Sequence, residues 1–257
     1  MLTSRTSVLS RVRTVLAASL ACSEEDLLAD RVSFHVAESR EGRLCFPLRK
    51  QAIQVVTMGR GTVITCSADR IEWARQHLSD LNRGQLFSAQ TLARLQQKVQ
   101  PDGQFIAGPD QKYAISSEDL RPVHHPQGIV VSLYREDRMA ELYERCERSM
   151  FPHALAYRLD SERPDRIACV AEHEGAVVGV AGASEDCGLL WQIGVDVSQA
   201  YQGRGIGQAM VGTLTRAVLA EGVTPYYSTV MSNLQSGQLA IRLGYWPVWL
   251  EVYARDG

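Results

Sequence analysis

The 257-residue sequence predicts an α+β fold, with a mixed central sheet flanked by helices in its second half and a mixed α/β domain before it. Two observations predict this. The second half follows the order strand, helix, three strands, helix, strand, helix, strand, read from its apolar periodicity. Before it, RPVHHPQG (residues 121–128) holds two prolines and a glycine that resist regular structure. We therefore predict an accessory domain over residues 1–125 and a second domain over residues 126–257.

The composition is that of an ordinary globular protein, with 45% hydrophobic residues, 22% charged residues and a net charge of −2. Such a balance does not favour a nucleic-acid partner. The six cysteines are scattered without a C-x-x-C pair, which predicts thiols in a reducing cytoplasm and no metal site. No apolar run approaches the roughly 20 residues of a membrane span, so no membrane partner is predicted. The oligomeric state stays open between a monomer and a homodimer.

The first domain begins with an amphipathic helix, because apolar residues recur there at helical spacing. They are Val8, Val12, Val15, Leu16 and Leu20. TVLAASLAC also resembles the apolar region of a signal peptide, but it is short and an acidic SEED follows. RVSFHVAES predicts a strand, and QAIQVVTMGRGTVITCSADRIEWARQHL predicts a strand, a tight turn, a strand and a helix from about Ala68. SAQTLARLQQKV predicts a further helix.

The second domain opens with a predicted strand in GIVVSLY, and REDRMAELYERCERSM predicts a helix. DRIACVAEHEGAVVGVAGAS predicts two strands around a turn at Glu174 and Gly175, and GLLWQIGVDV predicts a fourth strand. IGQAMVGTLTRAVLAEG then predicts an amphipathic helix. TPYYSTVM predicts a fifth strand, SNLQSGQLAIRLG a short helix and YWPVWLEVYA a last strand.

The stretch AYQGRGIGQAM places three glycines, Gly203, Gly205 and Gly207, directly before a predicted helix. A dinucleotide fingerprint has its third glycine one position later, and a Walker loop needs G-K-[ST], so neither motif fits. A glycine-rich turn at a helix N-terminus exposes backbone N–H groups and the positive end of the helix dipole. Arg204 adds positive charge at its rim. The stretch predicts a cradle for a phosphate or pyrophosphate.

Two segments together resemble one enzyme family. Gln202-x-x-Gly205-x-Gly207 resembles the [Q/R]-x-x-G-x-[G/A] motif of the GNAT superfamily of N-acetyltransferases, which likewise lies between a strand and an amphipathic helix. SNLQSGQLAIRLGY resembles the family's final segment, in which an Asn and a small polar residue open a helix and L-G-[F/Y] ends it. Its matching positions are Asn233, Ser236, Leu243, Gly244 and Tyr245. The resemblance covers about residues 130–253, implies a GNAT-like sheet there and leaves the first 125 residues unexplained.

The resemblance implies an acetyl-CoA-dependent N-acyltransferase, in which a primary amine of a small molecule attacks the thioester directly. It implies that the glycine turn holds the pyrophosphate and that two strand residues, Val195 and Val197, pair with the pantetheine through backbone groups. Asn233 and Ser236 are expected on the pantetheine or adenosine side. The implied coenzyme-binding residues are Val195, Val197, Gln202, Gly203, Arg204, Gly205, Ile206, Gly207, Asn233 and Ser236.

An acceptor amine must lose a proton before it attacks, so a base is needed near the fourth strand. The nearby acids are Glu185, Asp186 and Asp196, of which we predict Glu185. A histidine in the same region, His153 in MFPHALAY, lies in a predicted loop and is a candidate for contact with the substrate. The segment VDVSQAYQ is about two residues longer than the commonest family version, and a bulge or a longer turn absorbs them.

The family often has a Tyr as general acid four residues before the final glycine, and this position is Ala240 here. The candidates that replace it are Tyr226, Tyr227, Ser228 and Tyr245, of which we predict Tyr227 and Tyr245. Alternatively, the thiolate leaves without a protein acid, because a thiol has a pKa of about 8.5 in water. The missing Tyr also favours a second interpretation, a non-catalytic coenzyme A-binding sensor or partner-binding module.

Overall fold

The computed structural model describes residues 3–46 and 52–257; Gln51, where one predicted strand begins, lies outside these ranges. The elements, in chain order, are α1 (Arg5–Ser19), α2 (Glu24–Leu28), β1 (Val32–Val36), β2 (Ile53–Thr57), β3 (Thr62–Cys66), α3 (Ile71–Leu78), α4 (Arg83–Leu86), α5 (Ala89–Val99), β4 (Gln104–Ala114), β5 (Ile129–Arg135), α6 (Met139–Arg145), β6 (Asp165–His173), β7 (Ala176–Cys187), β8 (Leu190–Val197), α7 (Ile206–Ala220), β9 (Thr224–Val230), α8 (Leu234–Leu243) and β10 (Trp246–Asp256).

The chain folds into two compact units, and each is assembled from segments that are distant in sequence. Unit 1 comprises Met1–Arg11, Tyr113–Ser228 and Leu234–Trp246. Unit 2 comprises Val12–Lys112, Thr229–Asn233 and Pro247–Gly257. The domain boundary between residues 125 and 126 stays a prediction.

Unit 1 contains a mixed sheet in the order β9-β8-β7-β6-β5. Strands β5 to β8 form an antiparallel meander, and β8 and β9 are parallel. Antiparallel neighbours need only short turns, whereas a parallel pair needs a crossover, which α7 supplies here. The mixed sheet with its helices confirms the predicted α+β class.

The two faces of this sheet pack against different parts of unit 1. Ile167 and Cys169 of β6 belong to the core cluster formed with α7, whereas Ala168 and Val170 belong to the cluster formed with α6. Because successive side chains of a strand point to opposite faces, α7 and α6 cover opposite faces of the sheet. We call them the α7 face and the α6 face.

The helix predicted over REDRMAELYERCERSM is much shorter than expected. A 3-10 turn at Glu136–Arg138 leads into α6, which ends at Arg145, and Cys146 already has extended backbone angles. The chain then runs irregularly to β6, and several of its backbone N–H groups donate to carboxylates of the sheet rather than to helix carbonyls. Within the predicted helix, the residues after Cys146 form a turn instead, in which Met150 N–H bonds to Glu147 O at 3.0 Å.

The strands of unit 2 pair in the order β1-β3-β2-β10-β4, with parallel and antiparallel neighbours. The predicted hairpin is confirmed, since β2 and β3 pair antiparallel with Thr57 opposite Thr62, around the G-R-G turn. One face of this sheet forms a core with α3 and α5.

The five apolar residues predicted for the first helix are each at most 1% exposed, which confirms that they form a buried face.

Unit 2 also contains β4, an 11-residue strand that the sequence pattern did not predict. Its sequence, QFIAGPDQKYA, carries a glycine and a proline at its centre, and both residues normally mark a break in a strand.

Among the helices within residues 3–46 and 52–257, none is both long enough and apolar enough to cross a membrane.

Candidate functional site

The central feature of unit 1 is a gap between β8 and β9. The two parallel strands pair from Leu190 with Thr224 to Ile193 with Tyr227. Within the described residues their register ends there, although β8 continues to Val197 and remains paired with β7 throughout this stretch. The last part of β8 therefore presents one edge to β7 and the other edge to the gap.

The backbone groups of Val195 and Val197 are directed towards the gap. Ser198 donates its N–H to Val178 O at 2.9 Å, and this bond continues the antiparallel register in which Gly179 lies opposite Val197. Hydrogen-bonded residues alternate along an antiparallel pair, so Val195 and Val197 point their N–H and C=O groups away from β7. The structure thus gives both residues the direction expected for backbone pairing with a ligand in the gap.

The predicted cradle (residues 202–207) connects β8 to α7. Gly203 and Gly205 have φ angles of 77° and 80°, a left-handed conformation that glycine adopts at little cost. Gly205 is the N-cap of α7, and the first helical bond after it runs from Ala209 N–H to Gly205 O, at 3.0 Å. The N–H groups of the first helical turn consequently have no partner within the helix, and residues 202–205 are exposed.

The three glycines of the cradle have different surroundings. A Cβ on Gly203 would meet no atom within 4 Å, and one on Gly205 would meet only Pro126, at 3.9 Å. A side chain at either position would project into the space over the cradle. A Cβ on Gly207 would lie 3.2 Å from Leu239 Cδ1, so this glycine lets α7 approach α8 closely.

The remaining cradle residues link it to the sheet. Gln202 donates its side-chain amide to Val197 O, at 3.2 Å, which fixes the cradle beside the end of β8. Arg204 is exposed, and its guanidinium carbon lies 5.0 Å from the ring centre of Tyr201. The 3-10 turn Gln199–Tyr201 contains the additional residues of VDVSQAYQ, so a longer turn and not a bulge accommodates them.

The two residues predicted around the start of α8 have different positions. Ser236 of α8 hydrogen-bonds through its side chain to the Tyr227 hydroxyl, beside the end of the paired part of β9. Asn233 is exposed, donates its N–H to Val230 O at 2.9 Å and belongs to unit 2.

The α6 face of β8 is crossed by an irregular segment that we call the strap (residues 151–157). Asp196 Oδ2 accepts the N–H groups of His153 and Ala154, at 2.7 and 2.8 Å. A Cβ on Gly194 would lie 2.1 Å from His153 O, and one on Gly182 would lie 2.1 Å from Ala154 O. Two paired glycines thus let the strap backbone lie directly on the sheet.

A second carboxylate, Asp165 of β6, holds the other end of the strap. It is 3% exposed and accepts hydrogen bonds from Ala156 N–H at 2.7 Å, the Tyr143 hydroxyl at 2.7 Å and the Ser184 hydroxyl at 2.9 Å. Burial raises the pKa of Asp165. The sequence analysis missed this role, and the only signal for it was an acidic residue at the start of an otherwise apolar strand.

The acids predicted as bases already have partners. Glu185 pairs with Arg166, Nε to Oε2 at 2.6 Å, and both side chains are partly exposed. Asp186 is fully buried, where it accepts hydrogen bonds from Arg163 and from the Tyr226 hydroxyl. Asp196 holds the strap.

The two tyrosines predicted as acids lie in the core on the α7 face. Tyr227 is 3% exposed and Tyr245 is 2% exposed, and their rings meet edge to face at 6.2 Å. Tyr245 shares a hydrogen bond of 2.6 Å with the Thr215 hydroxyl. Burial raises the pKa of both phenols. Ala240, where the family motif often has a Tyr, is buried in the same core.

The arrangement places an exposed helix start next to an open strand edge. The cradle lies at the N-terminus of α7, the strap lies on the opposite face of β8, and the gap lies beside both. Among residues 3–46 and 52–257, no three His, Cys, Asp or Glu side chains cluster closely enough to hold a metal ion.

Comparison with known sequences gives one family. The model of the acetyltransferase (GNAT) family matches residues 136–245, which include the strap, the gap and the cradle. No curated protein is similar enough in sequence to count as a relative.

Several solved structures are similar in part. A GCN5-related N-acetyltransferase-like protein from Streptococcus suis shares 22% identity, with a TM-score of 0.46 over 64% of this chain and 67% of that one. A GCN5-related N-acetyltransferase from Kribbella flavida shares 16% identity, with a TM-score of 0.47 over 62% of each chain. The aminoglycoside N-acetyltransferase AAC(6')-Iy, solved in complex with CoA, shares 16%, with a TM-score of 0.34 over 48% of this chain and 89% of that one.

Proposed function

We propose that the protein transfers the acetyl group of acetyl-CoA to a primary amine of a small molecule, because residues 136–245 match the model of the acetyltransferase (GNAT) family. One observation carries the proposal. The cradle, with Gly203 and Gly205 in left-handed conformations, opens α7 directly beside the unpaired edge of β8. A donor that is anionic at one end and extended at the other fits this combination.

The cradle suits the pyrophosphate of the donor. Exposed N–H groups and the positive end of the α7 dipole attract an anion there. The glycines leave the space over the cradle unobstructed, and Arg204 adds a positive charge at its edge. No metal is needed for this contact, since the backbone itself supplies the donors.

The edge of β8 suits the pantetheine arm. Val195 and Val197 direct amide groups into the gap, and an extended chain with its own amides completes such an edge as an added strand does. The thioester would then lie near the point where β8 and β9 separate. A backbone N–H at that point stabilises the oxyanion of the tetrahedral intermediate, a contribution of about 10²–10³ in rate where it has been measured.

Donor and acceptor would reach the gap from opposite faces. The cradle belongs to α7 on one face, and the strap crosses β8 on the other. The acceptor amine, on the strap side, would attack the carbonyl carbon through the gap. Nitrogen forms the new bond to the acetyl carbon, the carbon–sulfur bond breaks, and coenzyme A leaves as the thiol.

The donor site is tested by Gly205→Leu, with Gly222→Leu as its matched control. Both glycines have φ near +80°, at opposite ends of α7, so both substitutions introduce a comparable backbone strain. Only Gly205 lies in the cradle. We expect isothermal titration calorimetry to show micromolar acetyl-CoA binding for the native protein and the Gly222 variant, and at least a tenfold weaker affinity for the Gly205 variant. Equal affinities in the two variants would contradict a donor site at the cradle.

A second candidate function is a coenzyme A-binding sensor without catalysis. The observation that favours it is Ala240, which fills the core where the family often has its acid, while Tyr227 and Tyr245 are buried with their hydroxyls bonded. Release of coenzyme A thiol in the presence of a panel of primary amines separates the two functions. Thiol release that depends on an amine supports the transferase, whereas binding without turnover of any amine supports the sensor.

A further inference from the structure

The strap fixes His153 at the point where β8 leaves β9. Its N–H donates to Asp196 at 2.7 Å, and its carbonyl oxygen lies against Gly194, the residue after the last one paired with β9. Val195 is the next residue of β8 after Gly194, so their Cα atoms are about 3.8 Å apart. The backbone of His153 therefore lies on β8 next to the gap, one strand residue away from the amide expected at the thioester.

The nearby carboxylates already have hydrogen-bond or ion-pair partners. Both strap amides converge on one oxygen of Asp196, Glu185 pairs with Arg166, and Asp186 is buried with its own arginine and tyrosine. Each of these carboxylates therefore already accepts a hydrogen bond from another group of the fold. His153, in contrast, is exposed to solvent. A neutral imidazole has one ring nitrogen with a free lone pair, which can accept a proton from a substrate.

Resting on the proposed acetyl transfer, we propose that His153 is the general base that takes the proton from the acceptor ammonium. The neutral imidazole accepts one proton from R–NH₃⁺, directly or through one water, and leaves R–NH₂ with its lone pair available. The amine attacks the acetyl carbon, and its second proton goes to the departing thiolate. The products are the N-acetyl amine, coenzyme A as a thiol, and a proton that the imidazolium returns to solvent.

Asp196 is a positioning residue in this scheme. Its carboxylate accepts the backbone N–H of His153 and of Ala154, so it fixes the strap without contacting the reacting atoms. The other titratable groups around the strap lie on several elements and form its electrostatic surroundings. They are Asp165 on β6, Tyr143 on α6, and Cys146, Arg148 and Tyr157 on the segment that contains the strap.

The test is the pH dependence of kcat/KM for native protein, His153→Gln and His153→Ala, measured with an amine that the native protein acetylates. We expect the native profile to fall on the acid side, because a general base acts only in its unprotonated form. Both variants should lose this limb and, at neutral pH, lose about 10²–10⁴ in kcat/KM. Added imidazole should restore part of the rate in His153→Ala, because it enters the space that the side chain has left.

His124→Gln, an exposed histidine outside the strap, is the matched control and should retain the native profile. Acetyl-CoA binding of each variant, measured by calorimetry, reports that its donor site is intact. Variants of His153 that bind acetyl-CoA and keep both the rate and the acid limb would overturn the assignment while leaving the transferase function in place. If the native protein binds acetyl-CoA but acetylates no amine, the transferase function fails and the assignment falls with it.

The conservative variant Asp196→Asn separates positioning from proton transfer. One amide oxygen accepts less strongly than a carboxylate, so the strap should be held less firmly and kcat/KM should fall. The acid limb should persist, because the imidazole remains. Loss of the limb in Asp196→Asn together with its survival in His153→Gln would reverse the two roles and overturn the proposal.

Discussion

At the residue scale, single glycines determine how closely other chain segments approach β8. Gly182 and Gly194, paired across β7 and β8, let the strap backbone lie on the sheet, because any Cβ would overlap its carbonyl oxygens. Gly207 serves the packing of α7 on the other side. Gly203 and Gly205 are required for backbone conformation and for space above the cradle. The same residue type thus has three separate physical functions around one site.

We expect Gly194→Ala to destabilise the protein by about 1–3 kcal/mol, the usual cost of overpacking. The new Cβ would lie 2.1 Å from His153 O, and a backbone atom has little freedom to move away. Gly188→Ala is the matched control, because no atom lies within 4 Å of its added Cβ and its φ is not left-handed. Urea denaturation measures the free energy of unfolding of the two variants. Equal values would contradict the prediction, because they would show that the strap moves away at no cost in stability.

The turn that forms the cradle could be predicted from sequence because it is local. Gln202, Gly205 and Gly207 lie within six consecutive residues, and an amphipathic helix follows them directly. The strap could not be predicted in this way. Asp196 and His153 are 43 residues apart, and their hydrogen bond depends on a strap that lies across the sheet only in the folded chain. Glu185 was predicted as the base from its place on the chain, which does not reveal its pairing with Arg166.

At the element scale, Asp119 links three parts of unit 1. It accepts from Arg5 Nη2 at 2.8 Å, from the Ser116 hydroxyl at 2.7 Å and from Trp246 Nε1 at 3.1 Å. The ends of α1 and β10 are thereby held to the segment before β5. The Arg5 guanidinium, through its hydrogen bonds, is the main reason that the pKa of Asp119 is lowered from 3.8 to about 2.

A lowered folded-state pKa makes the contribution of Asp119 depend on pH with a definite sign. The contribution is present above about pH 4, where an unfolded aspartate is ionised, and is lost as the pH falls towards about 2. We expect Asp119→Asn to be less stable than the native protein at pH 7 and the difference to narrow between about pH 4 and pH 2. Thermal denaturation of both proteins across this range measures it. A difference that is constant with pH would contradict this role for the carboxylate.

The order of elements in the second half could be predicted because each strand and helix there has a clear apolar period. Two expectations about the elements were wrong, one for β4 and one for the helix after β5. β4 contains Gly108 and Pro109, which normally break strands, yet it pairs with its neighbour β10. The helix after β5 ends at Arg145, because Cys146 takes extended backbone angles and the chain continues as a turn in which Met150 N–H bonds to Glu147 O.

At the scale of the whole molecule, the six cysteines form two groups. Cys22, Cys66, Cys146 and Cys169 are buried, and Cys45 and Cys187 are half-buried. Burial raises the pKa of Cys22, Cys66 and Cys169 to about 12 and that of Cys146 to about 11. A thiolate is the reactive form of a cysteine, so these four should react slowly in the native protein.

We expect an aromatic disulfide reagent at pH 8 to modify at most two cysteines rapidly in the native protein and all six after unfolding. The double variant Cys45→Ser/Cys187→Ser should lose the rapid phase. Absorbance of the released thiol measures both phases. A rapid phase of three or more thiols would show that a buried core opens on the time scale of the reaction.

The gap between β8 and β9 also has a thermodynamic consequence. It leaves the hydrogen-bond ladder of the sheet incomplete where β8 continues alone, and a bound donor would complete that ladder. A ligand that binds only the folded chain adds RT ln(1 + [L]/Kd) to its stability, about 2.7 kcal/mol at a hundredfold excess over Kd. The bound donor would then take the place of a strand next to β8, so the folded state would be most stable when the donor is bound.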